Sequence, residues 1–159
     1  MPDDLYDRDI LIWSEQQADL LRRAARGERV NDLDWAHVVE EIEDVGLSQL
    51  NSVKSYLRLM IVHLLKIQGW PNSTSRNHWR QEINSFQSDA EQRFTPSMRQ
   101  RIELERLYRK ALEQLEDAEF DGIPPSPWPL LCPFTLDQLL FSKRADLERQ
   151  LTVPVGANK

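Results

Sequence analysis

The sequence predicts an all-α fold: a single-domain helical bundle of about five to six helices, with a Pro-rich extended segment before a short C-terminal helix. Two observations predict it. Apolar residues recur at helical spacing along most of the 159 residues, and alternating strand patterns are missing. Hydrophobic residues make up 40% of the chain, which is enough for one packed core. We expect one domain over residues 1–150 and a flexible tail over residues 151–159.

The first predicted helix runs from Asp7 or Asp9 to Arg26. An Asp side chain can accept the free N–H groups of a first helical turn, and Gly27 is a natural stop at the other end. Trp13 lies on the apolar face of this helix, so we expect it in the core.

The second predicted helix begins near Asp32 or Asp34, either of which can cap it. Gly46 predicts a kink or break, after which a longer helix continues to about Gln68. Residues 57–67 of that helix are apolar nearly all the way round, so we expect them in the middle of the bundle. The stripe that we expect the second helix to bury consists of Trp35, Val38, Ile42 and Val45.

Two more helices are predicted in the middle of the chain. One is capped by Ser73 or Thr74, reaches about Phe94 and carries Trp79 on its apolar face. The pair Thr95-Pro96 combines a hydroxyl cap with a proline at the first helical position, so it predicts a new helix that reaches about Phe120.

The chain changes character between residues 121 and 133, where prolines exclude a helix and favour an extended segment across the surface. Thr135 then caps a short last helix, Leu136–Phe141, which extends toward Arg149. The side chains that we expect to anchor the extended segment in the bundle are Trp128, Leu130, Leu131 and Phe134.

The overall charge and the single cysteine limit the classes of function. A net charge of -6 disfavours non-specific nucleic-acid binding; a basic stretch at residues 76–101 is where any such binding would lie. Cys132 cannot form an internal disulfide, and without a basic neighbour it predicts a structural thiol. The acidic N-terminus and the lack of a long apolar run indicate no membrane segment and a cytoplasmic protein.

Six motifs resemble one known family, in the family's order. They are residues 5–9 with Trp13, residues 33–35, residues 40–46, residues 63–66, residues 75–76 with Trp79, and residues 132–136. Together they are similar to the bacterial family called domain of unknown function twenty-nine, over about residues 3–141. The resemblance implies a small all-α bacterial protein and no particular reaction.

An acidic segment is the strongest functional signal in the sequence. Six acidic residues and no Lys or Arg lie between Asp32 and Asp44, and a single-sign surface attracts cationic partners. With no complete catalytic motif in the chain, we expect a non-catalytic protein-interaction module, and self-association is one form of it. The expected contacts are Glu40, Glu41 and Asp44 toward cations and Trp128 as an apolar anchor.

The alternative is a metal-dependent enzyme with a carboxylate and histidine site in the bundle core. Asp34, His37 and Glu41 share one helical face, and His with carboxylates is a ligand set for first-row metals. A divalent metal would need Glu40 as well, and His63 with His78 from other helices. No cofactor is predicted otherwise.

His63 is surrounded by apolar residues, so we expect a buried imidazole that needs a hydrogen-bond partner. The expected partner is a carboxylate of the acidic helix, Glu40 or Glu41. The acidic segment also has an intramolecular alternative, because residues 71–120 carry eight Lys and Arg that would neutralise it from within the chain.

Overall fold

A computed structural model describes residues 3–152 of the chain, with side chains from residue 5 onward. The described part is helical and contains no named strand, as the periodicity predicts. Its helices are α1 (Asp3–Arg8), α2 (Ile10–Ala25), α3 (Trp35–Gly69), α4 (Arg76–Arg93), a 3₁₀ helix (Pro96–Arg101), α5 (Leu104–Gln114), α6 (Leu136–Phe141) and α7 (Arg144–Gln150).

The chain divides into two compact units, a first unit within residues 1–48 and a second unit within residues 49–159. In the first unit, α1 packs against α2. The Asp9 side chain accepts a hydrogen bond from the backbone N–H of Ile12 at 3.1 Å and caps α2, as predicted. Gly27 follows the helix with a φ of +85°, a conformation that favours glycine, so the predicted stop is also confirmed.

Helix α3 is continuous from Trp35 to Gly69, so the predicted break at Gly46 is wrong. A glycine inside a helix costs about 1 kcal/mol relative to alanine, which weakens a helix without ending it. At the far end, Gly69 is required by packing, because a Cβ atom there would lie 2.9 Å from the Trp128 ring and 3.1 Å from Pro125.

The core of the second unit forms around the C-terminal half of α3. As predicted, most of residues 57–67 are buried. Helix α4 packs against both α6 and α7. Thr135 caps α6 in a capping box with Gln138, also as predicted. Leu151, which we assigned to the tail, is fully buried; the rest of that tail lies outside the described residues from residue 153 onward.

The predicted helix from Pro96 to Phe120 is divided. Its first turns form the 3₁₀ helix, and extended backbone at Ile102 turns the chain before α5 begins. The half-buried Ile102 side chain packs against the core, and this packing favours the turn over a longer helix. Asp117 then adopts a φ of 59°, beyond the end of α5 at Gln114.

Candidate functional site

The first half of α3 exposes a row of large apolar side chains. Trp35 is 62% exposed, Ile42 67% and Val45 68%, and Val39 is exposed beside them. Spacings of three and four residues place these side chains on one side of the helix. We call these four residues the apolar stripe. The prediction that Trp35, Ile42 and Val45 lie in the core is wrong; only Val38 is buried.

The side of α3 next to the stripe explains this difference. His37, Val38 and Glu41 recur at spacings of one, three and four residues and form the side that contacts α1 and α2. Tyr6 of α1 donates a hydrogen bond to Glu41 Oε1 at 2.5 Å, and its ring stacks on His37 with centroids 3.9 Å apart. The hydrogen bond to Glu41 raises the pKa of Tyr6 to about 12, so the phenol stays a donor.

Asp34 connects α2 to the start of α3 through three hydrogen bonds. Its Oδ2 accepts from Trp13 Nε1 at 3.0 Å and contacts His37 Nδ1 at 2.6 Å, while its backbone N–H donates to Gln17 Oε1 at 2.8 Å. The bond to His37 lowers the pKa of Asp34 and raises the pKa of His37. These contacts fix one side of α3 toward α2 and leave the apolar stripe open. As predicted, Trp13 is buried.

Three carboxylates accompany the apolar stripe. Glu40, Glu43 and Asp44 are exposed, and none of them forms an ion pair with a described residue. The sequence has no Lys or Arg from residue 30 to residue 53. We call these three residues the acidic edge. Glu41 differs from these three residues because its carboxylate accepts a hydrogen bond from Tyr6.

A recess of about 580 Å³ opens beside Trp13 in the same unit. Its lining contains no Lys or Arg. The residues that line it are Leu5, Trp13, Glu15, Gln16, Gln17, Asp19, Leu20, Asp32 and Asp34. Four of these are acidic, so a second surface of the first unit also favours cations over anions.

His63 has different partners from those predicted. Its Nδ1 lies 2.8 Å from the Leu59 carbonyl oxygen, and its Nε2 lies 3.4 Å from Glu82 Oε2. The imidazole is buried as expected, and desolvation lowers its pKa. Because His63 and Glu41 belong to the same helix, they cannot come from facing helices as the prediction required.

The ligands of the metal hypothesis are therefore not brought together. Asp34 and His37 form a pair, Glu40 is exposed, Glu41 is bonded to Tyr6, and His63 contacts Glu82. His78 lies 3.5 Å from the other oxygen of Glu82. Across the part of the chain that the structure describes, no three His, Cys, Asp or Glu side chains are placed to hold a metal ion.

Trp128 is held by the second unit. Its Nε1 donates a hydrogen bond to the Leu65 carbonyl at 2.8 Å, and its half-buried ring lies against Gly69. The predicted role of Trp128 as a partner anchor stays a prediction. Its neighbours Leu130 and Leu131 are 91% and 74% exposed, so the expectation that they anchor the segment in the bundle is wrong.

The basic residues of the second unit have partners of their own. Arg80 pairs with Glu148 at 2.9 Å and Arg99 with Asp137 at 2.8 Å. Arg80 and Arg99 are therefore paired within the second unit, and neutralisation of the acidic helix by the other basic residues of 71–120 stays a prediction. Burial raises the pKa of Cys132 to about 11, which agrees with a structural thiol.

Sequence reasoning missed the exposed stripe and the contacts of Tyr6. A signal for the stripe was present, because four acidic residues between positions 40 and 44 flank Ile42, two on each side. A fully covered helix cannot place that many carboxylates beside its apolar residues.

These features define an all-α protein whose first unit has an open apolar and acidic helix face. The family model described as Domain of unknown function DUF29 matches residues 5–144, and the chain belongs to this family. An α-helical protein of unknown function from Rhodospirillum rubrum, solved as a crystal structure, is similar to it at 29% identity and a TM-score of 0.65. That match covers 92% of this chain and 96% of the other. None of the curated proteins matches the chain.

A bilayer-spanning helix is not found among the described residues.

Proposed function

We propose that the protein is a non-catalytic interaction module that docks a protein partner on the first half of α3. The apolar stripe carries this proposal. Exposed apolar residues scattered singly are normal on a protein surface, whereas a contiguous row with polar residues at its border is typical of an interaction site.

The contacts behind the stripe support the proposal as well. Hydrogen bonds from Tyr6 and Trp13 to Glu41 and Asp34 hold α3 against its neighbours, so the stripe is presented on an ordered helix. A binding surface that is ordered before the partner arrives loses less conformational entropy on binding. The cytoplasmic location expected from the sequence is part of the proposal.

The experiment compares two substitutions in an affinity capture from a cell extract of an organism that carries the gene. Ile42→Asp places a charge in the middle of the stripe, and Leu130→Asp places the same charge on an exposed apolar residue of the second unit. We expect Ile42→Asp to lose the captured protein and Leu130→Asp to retain it. Capture that is unchanged by Ile42→Asp would contradict the proposal.

A further inference from the structure

The acidic edge borders the apolar stripe directly. Glu43 lies four residues from both Val39 and Leu47, so its carboxylate stands between two exposed apolar side chains on the helix surface. Glu40 and Asp44 continue the acidic edge round the helix, away from the stripe, because each residue turns the helix by about 100°. A partner that covers the stripe comes close to Glu43, the carboxylate of the acidic edge that lies nearest to the stripe.

The carboxylates of the acidic edge repel one another. Glu40 is three residues from Glu43 and four from Asp44, and like charges at these spacings destabilise a helix. Every ion pair of a described acidic residue in the first unit involves Glu28 or Asp34, and neither lies on this edge. A cationic partner would remove this repulsion on binding.

The charge of the acidic edge and the helical backbone of α3 together limit which partners can cover the apolar stripe. A second copy that docks through the same face would bring two acidic edges together, and an anionic lipid surface would be repelled. A helix has no free backbone N–H or C=O groups along its side, so an extended strand cannot add to it as it can to a sheet edge. A helix that lays its own apolar side on the stripe needs no such groups.

We infer that the partner segment is an amphipathic helix with Lys or Arg along the border of its apolar side. This inference rests on the proposed function, because it names the partner of the same stripe. A Lys or Arg side chain lies against Glu43, where Glu40 and Asp44 add to the negative potential, and the apolar side chains cover Trp35, Ile42 and Val45.

The test uses the full chain and three synthetic helical peptides with identical apolar residues. Their border positions are all Lys, all Gln or all Glu. Binding is measured by fluorescence anisotropy of labelled peptide in about 0.15 M salt, where distant surface charges are largely screened. We expect the Lys peptide to bind about tenfold or more tightly than the Gln peptide, a difference that corresponds to about 1.4 kcal/mol.

Two variants with the same change in charge test which part of the protein surface causes the preference for the Lys peptide. Glu40→Gln/Glu43→Gln/Asp44→Asn removes the acidic edge, and we expect it to remove the preference for Lys. The matched control neutralises three exposed carboxylates of the second unit that form no described ion pair, and we expect the preference to remain. The control residues are Glu91, Glu116 and Glu119.

The outcomes separate the inference from the proposed function. If the Gln or Glu peptide binds as tightly as the Lys peptide and Ile42→Asp abolishes binding, the stripe is a docking site and the inference of a cationic partner is wrong. If Ile42→Asp leaves all peptide binding unchanged, the proposed function is wrong as well. Sedimentation showing a dimer that Ile42→Asp dissociates, or flotation with anionic vesicles, would replace the cationic helix by a second copy or a membrane.

Discussion

The two units of the molecule use their apolar side chains in opposite ways. Among the described residues, 22 buried apolar side chains lie in the second unit and only Trp13 and Val38 in the first. Nine of the 13 large apolar side chains that are exposed lie in the first unit, although it is much the shorter of the two. One helix, α3, contributes to both patterns, because its C-terminal half is core and its N-terminal half carries the open stripe.

The comparison teaches that helical periodicity has two possible consequences. An apolar stripe becomes core where other helices cover it, as they do at Leu57 and Leu64. It stays exposed where the neighbouring helices contact a different side, as α1 and α2 do at His37 and Glu41. Polar contacts, and not hydrophobicity alone, decide which side of α3 the first unit covers.

The largest expected difference comes from truncating one apolar residue in each half of α3. Leu57→Ala removes a fully buried side chain, and we expect a loss of about 2–5 kcal/mol in the free energy of unfolding. Ile42→Ala removes an exposed side chain, and we expect a change within about 0.5 kcal/mol. Urea denaturation followed by circular dichroism measures both. Equal losses in the two variants would show that the stripe is covered.

The two helical glycines of α3 give a smaller difference, of opposite sign. In Gly69→Ala the new Cβ meets the Trp128 ring and Pro125, and we expect a loss of about 1–3 kcal/mol. In Gly46→Ala the new Cβ meets no atom within 4 Å, and we expect a gain of up to about 1 kcal/mol because alanine favours the helix. Thermal unfolding of both variants checks the signs. A loss in Gly46→Ala would contradict a continuous, open helix at this point.

The two histidines predict opposite responses to pH. The hydrogen bond to Asp34 raises the pKa of His37, so its contribution to stability is complete below the unfolded value of about 6.5 and is lost as the pH rises through the folded pKa. Desolvation lowers the pKa of His63, so the folded state favours the neutral ring. Its contribution is complete above about 6.5 and is lost as the pH falls below that value.

An NMR titration of the imidazole Cε1–H resonances measures this difference. We expect His37 to titrate at higher pH than His63, and Asp34→Asn to lower the pKa of His37 while leaving His63 unchanged. The reverse order of the two pKa values would contradict the contacts that we describe for Asp34 and for Leu59.

The smallest expected effect comes from removing one hydroxyl group. Tyr6→Phe deletes the donor to Glu41 and keeps the ring that stacks on His37. We expect faster hydrogen exchange of the amides of residues 35–45, and no change in the amides of residues 57–67. Unchanged exchange in both segments would mean that the hydroxyl does not hold α3 in place.

The sequence predicted the parts of the fold that depend on local signals. The Asp9 and Thr135 caps, the stop at Gly27 and the buried run at residues 57–67 follow from side chains within a few residues of each site. The continuity of α3 through Gly46 was not predicted, because a glycine was taken as a break. The cost of one glycine is modest, and the helical residues on both sides offset it.

The candidate site was predicted only in part. The acidic segment was recognised, but the partners of His63 and Glu41 were not, since Glu82 and Tyr6 are distant in sequence and only the fold brings them near. Trp35 was assigned to the core because periodicity identifies an apolar side of a helix and does not identify what covers it.

The central claim is that the first half of α3 is an open docking face, and thiol reactivity at Ile42 tests it most directly. The measurement uses Ile42→Cys in a Cys132→Ser background, with Leu57→Cys in the same background as the buried control. We predict rapid labelling of the Ile42→Cys thiol and slow labelling of the Leu57→Cys thiol. When the Lys-bordered peptide is added, we predict that only the Ile42→Cys thiol becomes protected from labelling. Slow labelling of Ile42→Cys without any peptide would contradict the account.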